Sequence, residues 1–180
     1  MAEPGTVLRR HAADGVASSA TYSDCGSYRY DLTRVWADGG TRVGFVMLNP
    51  STATEAQNDP TIERCQRRAV RMGFGAFRAC NLFAWRATDP ADLRRAQAPV
   101  GPGNDAAILA CADWADLLIV AWGVHGAHRA RGAEVAARLG AAGYAMHHLG
   151  LTRKGHPRHP LYLRYDLEPQ SWRPEVAATR

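Results

Sequence analysis

At 180 residues, with 46% apolar side chains, the chain can build one core but not several domains. No apolar run approaches the roughly 20 residues that a helix needs to cross a bilayer, so no membrane partner is expected. The formal net charge of +5 favours an anionic partner, nucleic acid or nucleotide, although a basic set that is all arginine except Lys154, beside abundant alanine, also fits a GC-rich coding sequence.

Residues 1–26 are small, polar and rich in Gly, Ala and Ser, the composition of a loosely ordered segment. They lack the apolar stretch of a secretory leader, so a cytoplasmic location is expected. YRYDLTRVW (28–36) alternates like a strand, and the turn ADGG leads into TRVGFVML (41–48), which predicts an antiparallel hairpin. The near-continuous apolar run RVGFVML belongs to a strand covered on both faces.

Asp59-Pro60 reads as an N-cap and first helical residue, with Ile62, Cys65, Ala69 and Met72 at helical spacing and Gly73 and Gly75 closing the helix. A strand FRACNLF (77–83) follows, then a second helix start at Asp89-Pro90. GNDAAILACADWA (103–115) reads as helix, DLLIVAW (116–122) as a buried strand, GAHRARGAEVAARLGAAG (126–143) as one long helix, and YAMHHLG (144–150) as a last strand. Strands alternating with helices predict an α/β fold, a three-layer α/β/α sandwich. Its mainly parallel four-stranded central sheet carries an N-terminal antiparallel hairpin. A single domain spans 27–172, with a C-terminal tail at 173–180.

In open α/β sheets the carboxyl ends of the strands share one edge, where ligands bind. Four polar segments follow these strand ends, 49–60, 81–90, 123–128 and 151–163, and are expected to meet around one pocket. Asn49, held extended by Pro50, can orient a water or read a hydrogen-bonding edge, or make an Asx turn. Asp59 can act as general base or simply cap its helix. Asn81 can read an amide-like edge of a base or cap a turn. His125 and His159 can hold or move a proton near neutral pH, or be solvated loop residues.

Trp85 and Trp122 can stack on a planar base or pack in the core. Arg64, Arg67, Arg68 and Arg71 form a stripe at helical spacing that can track phosphates or face solvent. Arg153, Lys154, Arg158 and Arg164 flank the predicted pocket and are better placed for phosphate. Cys25, Cys65, Cys80 and Cys111 lie far apart with no CxxC pair, so free thiols are expected. His156 and His159 lack the partners of a recognisable metal set, and neither metal nor cofactor is expected. No P-loop, GxGxxG or GxSxG follows a strand.

MLNPSTATEAQNDPTIERC, CNLFAWRATDP, VGPGND, AWGVHG and LGLTRKGHPRHPLYL resemble the hallmark segments of a bacterial and phage family known as domain of unknown function 1643. That resemblance covers roughly residues 28–163 and implies kinship rather than chemistry. More remotely, the order of segments is similar to the uracil-DNA glycosylase superfamily. By that likeness Asn49-Pro50 would position the attacking water, Asn81 would read the base, AWG (121–123) would take a Trp-Gly strand end, and His159-Pro160 would supply the late histidine. Ser51 stands where a glycine commonly follows the first-strand proline, leaving less room for a base. The late loop HPRHPLYLR departs from a serine-flanked His-Pro-Ser-Pro, and no four-cysteine iron–sulfur set is present. The resemblance implies an N-glycosidic hydrolase acting on DNA or a nucleotide, with a modified base among its targets; Asn49 or Asp59, the latter from its own chemistry, would hold the water and His159 would be the third catalytic residue. Pro50, Ser51, Asn81, Trp85, Trp122, His125, Arg153, Lys154 and Arg158 would bind substrate. The alternative is a non-catalytic nucleic-acid or nucleotide binder on the same scaffold.

Overall fold

A computed structural model describes residues 5–174. In chain order its strands are β1 (Thr6–Ala13), β2 (Val16–Ser23), β3 (Arg29–Val35), β4 (Arg42–Met47), β5 (Ala76–Asn81), β6 (Leu117–Val120), β7 (Met146–His148) and β8 (Gln170–Trp172). Its α-helices are α1 (Pro60–Arg71), α2 (Pro90–Arg95), α3 (Asn104–Trp114) and α4 (Arg131–Ala141). The strands form one mixed sheet in the order β1-β2-β3-β5-β4-β6-β7-β8.

The apolar run of β4 explains its central place. Val43, Phe45 and Met47 pack under Ile62, Cys65 and Ala69 of α1, whereas Val46 points to the opposite core with Leu93, Ile108, Cys111, Val135 and Leu139 of the other three helices. Both faces of the strand are thus covered, as its composition requires. The approach of α3 is close: a Cβ at Gly44 would lie 3.0–3.1 Å from Ala115, Leu118 and Cys111. The two Asp-Pro helix starts act locally as their chemistry dictates. Asp59 accepts from Ile62 N at 2.9 Å and Asp89 from Ala91 N at 2.7 Å, each with proline in the first turn.

Several expectations are corrected. Segments 28–36 and 41–48 make no hairpin with each other, because β5 lies between them, antiparallel to β3 and parallel to β4. The turn that joins them wraps around Gly75 at the entry to β5. Trp36 N and Ala37 N donate to Gly75 O, and Gly75 N donates to Thr41 O at 2.8 Å. A Cβ at Gly75 would meet Ala37 O at 2.5 Å, so only glycine admits this insertion. The hairpin that does form is β1–β2, inside the segment 1–26 expected to be loose. Asp14 and Gly15, at φ 52° and 76°, make its two-residue turn, the geometry that matches strand twist.

The sheet is also less parallel than expected. Antiparallel pairings β1–β2, β2–β3, β3–β5 and β7–β8 outnumber the parallel β4–β5, β4–β6 and β6–β7. β8, unforeseen, borders β7. The long helix predicted over 126–143 is broken: a 3₁₀ stretch Val124–Ala130 precedes α4, with Arg129 and Ala130 at φ 53° and 55°. Trp122 packs directly on the backbone of this 3₁₀ stretch, where a Cβ at Gly126 would come within 2.1 Å of its ring. Of the predicted end segments, residues 1–4 and 175–180 lie outside the described residues.

The arginine stripe of α1 divides between a clamp, Arg64 and Arg68, and the exposed Arg67 and Arg71. Arg68 is buried and donates to the carbonyls of Tyr165 and Leu167 at 3.4 Å, Leu163 at 3.2 Å and Arg164 at 2.8 Å. Arg64 Nη2 reaches Leu163 O at 2.6 Å, and the Tyr165 ring lies against both guanidinium groups, at 4.5 and 5.4 Å. Arg67 pairs with Glu63 at the surface. The helix thus clamps the strap 163–167, the chain that leaves the late histidine. Arg68→Ala should lower the unfolding free energy in urea by about 3 kcal/mol, because carbonyls lose a charged donor and remain buried; Arg67→Ala should leave it nearly unchanged.

A candidate active site at the ends of β4 and β5

Because β4 and β5 run parallel, with Met47 in register with Asn81, the segments that leave them emerge side by side. The N-terminus of α1 and the turn Pro160–Tyr162 close over them. A cavity of about 30 Å³ lies between, lined by Arg29, Met47, Asn49, Ser51, Asp59, Thr61, Ile62, Asn81 and His159. A buried water needs about 10–15 Å³ on such a measure. The cavity therefore has room for a water or two, and a nucleobase enters only if the rim opens.

The hydrogen bonds fix what each side chain offers. Asn49 Nδ2 donates to Ala87 O at 2.7 Å and Pro50 O at 3.0 Å. Both partners are carbonyls, which sets the amide orientation and leaves Oδ1 as the free group, an acceptor. Asp59, buried, accepts from Ile62 N through Oδ1 at 2.9 Å and from Ala53 N through Oδ2 at 3.2 Å. It is thus the helix cap and a wall of the cavity at once, and each oxygen keeps a further lone pair. Asn81 is 1% exposed, and its Nδ2 has no hydrogen-bond partner. Its main-chain carbonyl is held by Asn104 Nδ2 at 3.0 Å.

His159 caps the turn Pro160–Tyr162 by accepting from Leu161 N at Nδ1, at 3.4 Å. The neutral ring therefore carries its proton on Nε2, a donor. Burial pushes the imidazole below its ordinary value, and the negative charge of Asp59 opposes that shift. Arg29, which the sequence reading missed, is 1% exposed in the same wall. It donates to Ala53 O at 2.6 Å. Burial pushes its guanidinium down to about 10, with Asp59 the main opposing charge. In an alternating strand an arginine reads as solvent-facing, and only the packing of the 51–59 loop over β3 conceals it.

The other predicted site residues lie elsewhere. Trp122 is core, fitted against Gly126 and Gly132 and edge-on to Trp172 at 5.6 Å. Trp85 stands edge-on to Tyr28 at 5.5 Å and lines a separate depression with Arg86 and Asp92. Exposed His125 accepts at Nδ1 from Arg94 Nη2 at 3.1 Å. Pro50 is buried beside the cavity without lining it. Arg153, Lys154 and Arg158 are exposed on the loop leading into His159 and do not line the cavity. That loop is tied down by Gly123 N on Pro157 O at 2.7 Å. Among the described residues no three His, Cys, Asp or Glu side chains gather to hold a metal ion.

The pH dependence follows from His159. Its folded form is held neutral, so below about pH 6.5 the unfolded chain binds the proton more readily and stability falls as pH drops. His128 and His148 act in the same sense through burial. His159→Gln, which can still accept from Leu161 N, should flatten this acid limb in denaturation curves between about pH 6.5 and 5. Asp59→Asn should lower the His159 midpoint in an NMR titration, because the opposing charge is gone.

No significant match is found to a curated protein or to a solved structure. Residues 29–161, which include every residue lining the cavity, match the family model described as protein of unknown function (DUF1643), and the chain belongs to that family.

Proposed function

We propose that this cavity hydrolyses an N-glycosidic bond in DNA or a nucleotide, in the manner of the uracil-DNA glycosylases, with a modified base as one candidate target. The observation that carries the reading is the meeting of Asn49, Asp59, Asn81 and His159, far apart in sequence, around one small cavity. The contiguous parallel strands β5-β4-β6-β7, with helices packed on both faces, support a glycosylase-like fold.

In the proposed step, a water held by Asn49 Oδ1 and Asp59 bonds through its oxygen to C1′ as the C1′–N bond breaks. The electron pair of that bond leaves on the base. The Asp59 carboxylate accepts a proton from the water and returns it to the base or to solvent. Charge grows on the departing base, so the Nε2–H of His159 is most useful there; a donor aimed at developing charge is worth about 3 kcal/mol. The target must leave its stack to enter, and the exposed cluster Arg153, Lys154 and Arg158 would hold flanking phosphates.

A second reading, a non-catalytic nucleic-acid or nucleotide binder, is favoured by one observation: both carboxylate oxygens of Asp59 are already occupied by backbone N–H groups. Mass spectrometry for released base decides between them, with single-stranded, duplex and phage-modified DNA and free nucleotides as substrates. Base release by the wild type, falling at least about a hundredfold in Asn49→Ala and His159→Ala with folding intact, supports hydrolysis. Salt-sensitive DNA binding without base release supports the binder.

A further inference from the structure

Four arginines are almost wholly buried: Arg29, Arg34, Arg68 and Arg131. Three of them are held by several partners each, although Arg68 Nε is itself without one. Arg131 meets the carboxylates of Asp105 and Glu134. Arg68 donates to four backbone carbonyls. Arg34 donates to Thr33 O, Thr54 O, Gln57 O and Asn58 Oδ1.

Arg29 differs. Its side chain makes a single hydrogen bond, to Ala53 O; its Nε–H has no partner, as in Arg68, and, as with Arg34 and Arg68, it joins no ion pair among the described residues. It lines the cavity next to Asn81, whose Nδ2 is buried and likewise unpartnered. Leaving such donors unpaired costs about 1–3 kcal/mol each, and a buried cation without an ion-pair partner costs more. The nearby charges act in both senses: Asp59 is the main one opposing the Arg29 cation, and Arg34 and Arg86 add positive potential beside it. His159 adds a third donor, its Nε2–H.

We infer that the cavity is an anion pocket, in which Arg29 and Asn81 receive the negative charge of a monatomic anion or of one anionic edge of a larger molecule. At about 30 Å³ it excludes a phosphate. Under the glycosidic reading, on which only the identity of the ligand rests, that edge is the departing base carrying the electron pair of the broken bond. Arg29 then stabilises the leaving group as a buried counter-charge, a role distinct from the hydrogen bond of His159.

Bromide is the probe. Wild-type crystals soaked in bromide should show an anomalous peak within hydrogen-bond reach of Arg29 and Asn81. In solution the Asn81 side-chain amide signals should shift saturably with bromide, and Arg29→Met should weaken the affinity at least tenfold. Arg29→Lys, which keeps the charge, should retain part of it. Should Arg29→Met fail to fold, Asn81→Leu serves instead, read in bromide-soaked crystals by loss of the anomalous peak. No anomalous peak in the wild-type cavity, peaks only at surface arginines, or a linear, unsaturable shift overturns the inference without reference to any variant. The two proposals fail separately. Saturable bromide binding without base release sinks hydrolysis and leaves the anion pocket standing; base release by a protein that takes no bromide does the reverse.

Discussion

The Asp59 carboxylate joins three parts of the molecule. Through Oδ1 it caps α1, and through Oδ2 it holds Ala53 N. The peptide of Ala53 in turn gives its carbonyl to Arg29. One carboxylate therefore sets where the helix begins, how the 51–59 loop lies over β3, and which charge faces the cavity. It also biases the titration of His159 from across the pocket. Helix capping and site electrostatics are here one interaction, so a change at Asp59 acts on folding and on the site together.

Buried arginine is the second recurring device. Arg34 pins the 54–58 loop through carbonyls and the Asn58 side chain, and Arg64 and Arg68 pin the strap 163–167. Both devices satisfy irregular backbone that no strand or helix pairs, which buried loops require. Because Arg64 and Arg68 stand on the helix capped by Asp59, the clamp that fixes the strap also fixes the separation of Asp59 and His159. Site geometry therefore depends on contacts remote from the cavity.

The cavity and the basic loop divide the recognition problem. The interior offers few, oriented groups in low dielectric, where hydrogen bonds are strong and unpaired ones costly. The exposed Arg153, Lys154 and Arg158 offer charge without fixed geometry, which supplies affinity with little selectivity. On the proposed function, a small interior of this kind suits a ligand whose larger part stays outside.

What the sequence determined by itself was local. Asp59-Pro60 and Asp89-Pro90 start helices because a side-chain oxygen and a proline act within one turn, and RVGFVML is a central strand because both its faces are apolar. The convergence of Asn49, Asn81 and His159 was legible once β4 and β5 were read as parallel, since parallel strands end on the same side. The β1–β2 hairpin carried its signal in Asp14-Gly15, but β1 has no apolar alternation to announce a strand, being exposed along its whole length. Only the tertiary structure decided the rest. β5 enters between β3 and β4 through a contact at Gly75 that is far in sequence from the turn it displaces. Trp122 goes to the core because Gly126 and Gly132 make a slot for it, and Arg29 is buried because a loop some 24 residues later closes over it. Each of these depends on which distant surface covers a residue, and residue order along the chain does not encode that cover locally.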